Sequence, residues 1–122
     1  MELVNLSTGT IIAENVIPAY TFIKRLKGLM FTSTSSFPEG DAIHIQPCRS
    51  IHSYFMKYEI DVLYLNESNQ IIAAECYFRP GTIGKHHKGT ESVIELPAGT
   101  INKKKIKIGH SVQIQNLKER VS

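Results

Sequence analysis

The run Ile60-Asp61-Val62-Leu63-Tyr64-Leu65 constrains the fold more than any other stretch of the chain. Successive side chains of a strand point to opposite faces. Here Ile60, Val62 and Tyr64 would share one face and Leu63 and Leu65 the other, and both sets are hydrophobic. A strand of this kind belongs in the middle of a sheet with both faces covered. Asp61 alone is out of keeping. Alternation puts it with Leu63 and Leu65, where an unpaired charge would be very costly. Two arrangements answer that cost. Asp61 pairs with a cation, for which Arg25 is the preferred partner, or it sits at the strand's open end and caps a turn.

The rest of the chain reads as short strands joined by turns. Leu3–Leu6 and Ile11–Val16 flank the small-residue turn Ser7-Thr8-Gly9-Thr10 and suit a β-hairpin. Ala42–Gln46 is a short strand with Ile43 and Ile45 alternating against His44. Asp61–Asn66 and Gln70–Phe78 form a second hairpin around Glu67-Ser68-Asn69, followed by strands at Ser92–Leu96 and Ser111–Gln115. Between the first hairpin and Ala42 the pattern changes. Pro18 suits the first turn of a helix. The apolar residues at 19, 22, 23 and 26 then follow the spacing of a helix packed on a core. Gly28 can end that helix, with Leu29 making the cap's hydrophobic contact. A Ser/Thr-rich loop over Thr32–Gly40 follows. Ala98–Lys105 admits a second short helix, against which Gly99 and Thr100 weigh. The absence of alternating strand and helix units argues against a doubly wound parallel sheet. The expected fold is mainly β (α+β), an antiparallel β-sandwich or small barrel with one amphipathic helix.

Length and charge narrow the function classes. With 122 residues, 42% hydrophobic and 20% charged, the chain is long enough for one self-sufficient domain over 1–122, with no need of a disulfide or metal. A net charge of +3 is too small for a dedicated nucleic-acid binder. No apolar run is long enough to cross a bilayer, and the start, Met1-Glu2-Leu3-Val4-Asn5-Leu6, has no signal-peptide pattern. A cytoplasmic protein with Cys48 and Cys76 as free thiols is therefore expected.

Candidate chemistry gathers around Pro47–Met56. Cys48, His52 and Met56 recur every four residues, so they share a face in either a helix or a strand. A thiolate, an imidazole and a thioether are a soft set suited to copper(I), and Met30 could add a second thioether. Paired ligands at short spacing, the usual mark of a zinc site, are missing, so Met56 as core filler and Cys48 as a small buried hydrophobe is the stronger reading. The same residues permit a nucleophile and base, Cys48 with His52. Glu95, in Val93-Ile94-Glu95-Leu96-Pro97, points into a cleft or into solvent, and solvent is the preferred reading. Gly81-Thr82-Ile83-Gly84-Lys85-His86-His87-Lys88-Gly89 departs from a phosphate loop because His86 stands where Ser or Thr is required. It reads as a solvated basic loop. Lys103, Lys104, Lys105 and Lys107 lack interleaved aromatic residues, so they too read as a solvated face.

Four pieces of the chain together resemble a known signature: Arg25-Leu26-Lys27-Gly28-Leu29-Met30, the segment His52 to Met56, Ile60–Leu65, and Val93-Ile94-Glu95-Leu96-Pro97-Ala98-Gly99. The chain resembles, over nearly its whole length, the prokaryotic domain-of-unknown-function family numbered one hundred and ninety-two. The motif positions fall on Arg25, Gly28, Leu29, Met30, Met56, Asp61, Glu95 and Gly99. The resemblance implies a compact, mainly β domain and assigns no activity, substrate or cofactor.

Arg25, Met30, Met56 and Asp61 are accordingly expected to converge where the helix meets the sheet, with Glu95 as a further polar member. The leading function is a non-enzymatic binding module for a small ligand, a metal or a protein partner. The alternative is an enzyme using Asp61 or Glu95 as general base, or Cys48 with His52.

Overall fold

The computed structural model describes residues 1–21, 37–48 and 58–116. Eight strands run through them: β1 Glu2–Asn5, β2 Thr10–Ala13, β3 Asn15–Ala19, β4 Asp41–Ile45, β5 Ile60–Leu65, β6 Ile71–Phe78, β7 Ser92–Pro97 and β8 Val112–Gln115. One short helix, α1, spans Thr100–Lys103. The strands form a three-stranded sheet in the order β2-β1-β8 and a five-stranded sheet in the order β3-β4-β7-β5-β6. Neither sheet closes into a barrel among the described residues.

The apolar run at 60–65 sits where its composition demands. β5 lies between β7 and β6, and all six of its residues are buried. Its two faces feed two separate apolar clusters. Leu63 and Leu65 join Ala42, Ile94 and Leu96 against Leu3, Ile12, Ala13 and Val112 of the smaller sheet. Ile60, Val62 and Tyr64 join Ile43, Ile45, Val93, Ala73 and Phe78 on the opposite face. Burial of side chains of this size contributes roughly 1.5–3 kcal/mol each, so both faces stabilise the sheet.

Three details depart from the sequence expectation. The stretch expected as one strand, Ile11–Val16, breaks at Glu14, and its halves enter different sheets. Glu14 and Asn15 both donate their backbone N–H to the Gly40 carbonyl, which marks the transfer. Pro18 lies inside β3 rather than at a helix start. β3 is an edge strand, where proline's missing N–H breaks no ladder on the open side. Lastly, β3 runs parallel to β4, so the larger sheet is mixed rather than wholly antiparallel. The expected amphipathic helix, Gly28 and Leu29 fall almost wholly outside the described residues.

α1 occupies only the centre of the segment expected at Ala98–Lys105. Gly99 precedes it at φ 93°, a conformation that favours glycine. Thr100 donates its hydroxyl to the Pro97 carbonyl at 2.7 Å, tightening the entry.

Candidate functional site

Asp61 is fully buried, and both of its oxygens are used by the backbone. Oδ1 accepts the Tyr77 N–H at 3.0 Å and Oδ2 accepts the Ile101 N–H at 2.8 Å. The reason is local. Ile60 pairs with Phe78 and Val62 with Glu75, so Cys76 and Tyr77 together face Asp61 across a β-bulge. Tyr77 takes φ 54° there, and its N–H meets the Asp61 carboxylate. The other oxygen reaches the first turn of α1, where backbone donors have no helical partner. Asp61 thus ties the bulge of β6 to the turn after β7. Of its expected companions, Arg25, Met30 and Met56 lie outside the described residues.

Glu95 is the residue the sequence misplaces. It is 3% exposed, not solvated. Register explains why. β7 lies between β4 and β5, so Glu95 is flanked by Ile43 on one side and Val62 on the other. Both neighbours belong to the cluster on the Tyr64 face. Sequence alternation alone shows that Glu95 shares a face with Val93; the burial of Glu95 together with Ile43, Val62, Tyr64 and Val93 shows that this face is covered.

The surroundings of Glu95 are unusual for a carboxylate. Its Oε2 is buried and has no hydrogen-bond partner, and the same is true of the Tyr58 hydroxyl. Burial pushes the Glu95 carboxyl up to about 8, so it is mostly protonated at neutral pH. Burial, then the Glu95 charge, raises the Tyr58 phenol above its ordinary range.

A second set of polar groups adjoins them. Tyr64 donates its hydroxyl to Glu75 Oε1 at 2.5 Å. His87 places Nε2 3.7 Å from the same oxygen, and its ring lies 4.5 Å from the Tyr64 ring at a tilt of 57°. Tyr64 is held above the ordinary phenol range by burial first, then by its bond to Glu75 and by the negative charges of Glu75, Cys48 and Glu95. The 81–89 loop, expected to be wholly solvated, therefore docks one histidine on the sheet. Its lysines, Lys85 and Lys88, are exposed as expected.

Cys48 packs at the margin of the same apolar cluster as Tyr58. Its expected co-ligands His52 and Met56 lie outside the described residues. Among the described residues no three His, Cys, Asp or Glu side chains are grouped to hold a metal. Lys103, Lys105 and Lys107 are exposed, and Lys103 pairs with Glu39, which matches a solvated face. No described helix is long and apolar enough to cross a membrane.

His44 alternates with Ile43 and Ile45 and lies opposite Ile94, on the face of the sheet away from Glu95. Its Nδ1 pairs with the Tyr20 hydroxyl at 2.8 Å while Nε2 is buried without a partner. Burial lowers its pKa to about 4, which keeps the ring neutral.

Sequence reading missed Tyr58, Tyr64, Glu75, His87 and His44 as polar members of the sheet faces. Tyr64 carried the one available signal, a hydroxyl in a strand covered on both sides, since a buried hydroxyl needs a partner.

Comparison with known proteins agrees with this architecture. The model of the DUF192 family, described as Uncharacterized ACR, matches residues 4–114. A UPF0127 protein of Thermococcus sibiricus is 30% identical over 123 residues, spanning 97% of this chain and 77% of its own length. A UPF0127 protein of Pyrococcus furiosus is 27% identical over 116 residues, spanning 91% of this chain and 96% of its own length. A solved structure of a Novosphingobium aromaticivorans protein of unknown function superposes with a TM-score of 0.79 at 17% identity, covering 93% of this chain and 82% of that one. Another, from a Sinorhizobium meliloti protein described as a proposed transcription regulator, gives 0.76 at 18% identity, covering 92% and 89%. At these identities the two structures speak for the fold alone.

Proposed function

We propose, for a chain that belongs to the DUF192 family, that the Glu95 face of the larger sheet binds a small ligand and that the domain is a binding module rather than an enzyme. One observation carries this reading. Glu95 Oε2 and the Tyr58 hydroxyl are both buried and both unpartnered in a wall otherwise built of Ile43, Val62 and Val93. A buried polar group left without a hydrogen bond costs about 1–3 kcal/mol, so two in one wall call for a ligand that meets them. Apolar lining with a few convergent polar groups is the usual make-up of a small-molecule site.

The same reading takes the two sheets as the layers of a sandwich, supported by the apolar cluster they share. It takes the chain as one domain working in the cytoplasm, supported by the unbridged cysteines Cys48 and Cys76. A metal or a protein partner is less favoured as the occupant, because the unpartnered atoms lie inside the structure and not on an exposed patch.

The raised pKa of Glu95 favours one second reading, an enzyme with Glu95 as general acid or base. Asp61 does not share that role, since backbone N–H groups occupy both of its oxygens. A screen of several hundred small charged and neutral compounds against isotope-labelled protein separates the readings. Saturable amide shifts at Val62, Val93 and Glu95 by a compound recovered unchanged support the binding module. Turnover of that compound, lost in Glu95→Gln, supports the enzyme. A screen in which nothing moves those amides overturns the site.

A further inference from the structure

We propose that segment 85–89 is a strap over the β5–β6 side of the Glu95 face, and that the His87 ring, packed on Tyr64, is the latch that holds it shut. The strap's role rests on the reading of that face as a binding site: it governs entry.

The register places the latch beside Glu95. Val62 pairs with Glu95 of β7 on one side and with Glu75 of β6 on the other. Directly paired residues share a face, so Glu95, Val62 and Glu75 form one row across the sheet. Val93, Tyr64 and Ala73 form the next row. Neighbouring strands lie about 4.8 Å apart, so the Glu75 backbone stands roughly 10 Å from that of Glu95. Tyr64 bonds to Glu75 within this patch. The His87 ring lies 4.5 Å from the Tyr64 ring, with Nε2 3.7 Å from Glu75 Oε1. His87 therefore closes the β6 end of the row to which Glu95 belongs.

The strap is tied at both ends and lightly held between them. Gly84 and Thr90 are buried, whereas Lys85, His86, Lys88 and Gly89 are exposed and His87 alone is half-buried. Beyond Thr90 the chain is fixed. Glu91 donates its N–H to the Leu65 carbonyl at 2.8 Å and accepts the Cys48 N–H at 2.9 Å. Thr90 donates both its N–H and its hydroxyl to the His87 carbonyl, so 87–90 is a closed turn that carries the ring as a unit. Gly89 takes φ 92° in that turn, a conformation that favours glycine.

The latch itself is weak. At 3.7 Å the approach of Nε2 to Glu75 is too long for a hydrogen bond, and Nε2 is buried without a partner. Tyr64 already donates to Glu75 Oε1. What holds His87 is one tilted ring contact, offset by an unsatisfied buried nitrogen. Segments with few buried contacts open locally long before a whole domain unfolds. Release of His87 would uncover Tyr64, which is fully buried, and the Val62 and Ala73 side of the face. A ligand would then enter from the β6 side with every strand of the sheet in place.

Amide hydrogen exchange of the ligand-free protein, followed by NMR without denaturant and in low urea, tests the strap. In the native protein the Thr90 amide should exchange through a local opening that urea hardly changes. The amides of Leu63 and Ile94, on inner strands, should exchange only on unfolding and respond to urea. His87→Ala should speed exchange at Thr90 by about tenfold or more and leave Leu63 and Ile94 unchanged. A soluble gadolinium chelate should relax the Val62 and Ala73 methyls more strongly in that variant than in the native protein, with the Leu63 and Leu96 methyls of the opposite face as reference. His87→Phe, which keeps a ring for Tyr64, should return both readings towards native. Native values in His87→Ala, or a Phe variant as open as the Ala variant, overturn the latch. Exchange at Thr90 that follows urea as Leu63 does, or that rises in His87→Ala only together with Leu63 and Ile94, makes His87 a part of the global fold and overturns it as well. Because no ligand takes part, the strap can fail while the site survives, and the compound screen decides the site separately.

Discussion

Asp61 and Glu95 are both buried carboxyls on adjacent inner strands of one sheet, and the fold treats them in opposite ways. Asp61 is met by the backbone N–H groups of Tyr77 and Ile101. Asp61→Ala would leave both donors buried and unpaired, a loss of about 2–5 kcal/mol. Asp61→Asn keeps one acceptor and turns an amide N–H₂ against the other donor, so about half that loss is expected. Urea unfolding of the two variants checks the ratio, and equal stabilities would show that the carboxylate does not hold these donors. Glu95 receives no such help, and its pKa near 8 against an ordinary 4.5 expresses the cost. The sign follows from the raised value. The folded state holds a proton that the unfolded state has released, so stability is full below pH 4.5 and is lost as pH rises towards 8. The total is about 5 kcal/mol. Glu95→Gln, which resembles the neutral acid, should therefore be more stable than the native protein at pH 9 and close to it at pH 5. Denaturant midpoints at those two pH values test this, and a variant weaker at both would count against a neutral Glu95.

The elements show what a pattern of residues can and cannot disclose. The 60–65 strand was legible because apolar residues on both faces admit only a central position. The hairpin of β5 and β6 was legible from its turn residues, and Asn69 does take a positive φ there. Pro18 was misleading, because a fixed φ suits a helix start and an edge strand alike, and only the sheet order decides between them. The bulge at Cys76 and Tyr77 left no trace in the sequence, since it is set by register against Asp61. Once seen, it links Ile60–Leu65 to Val93–Gly99: the carboxylate of the first holds the turn that follows the second. Gly99 enters that turn at φ 93°, and a Cβ there would lie 3.5 Å from the Tyr77 hydroxyl. Space is adequate but the backbone is not, so Gly99→Ala should cost about 1–2 kcal/mol through conformation alone. A thermal unfolding scan reads this, and an unchanged midpoint would show that the turn relaxes freely.

For the whole molecule, the larger sheet separates two titrating groups on opposite faces. His44 has its pKa lowered from 6.5 to about 4, so its contribution is present above pH 6.5 and lost as pH falls towards 4. Glu95 acts in the other direction, losing stability from pH 4.5 towards 8. Between pH 4.5 and 6.5 the two slopes cancel, and beyond that window each acts alone. These two groups predict a flat stability maximum across it, with a fall of about 2 kcal/mol between pH 6.5 and 8. The mainly β class and most of the strands were visible in the sequence, whereas β3 was not, because its second half was read as the start of a helix. The covered state of the Glu95 face was not, because the alternation of one strand does not disclose what packs over the sheet. The measurement that bears most directly on the site is the titration of the Glu95 side-chain carboxyl carbon by NMR in selectively labelled protein. A midpoint near pH 8 is the result expected of a buried acid awaiting a ligand. A midpoint near 4.5 would mean that Glu95 is solvated or already paired, and the site would not stand.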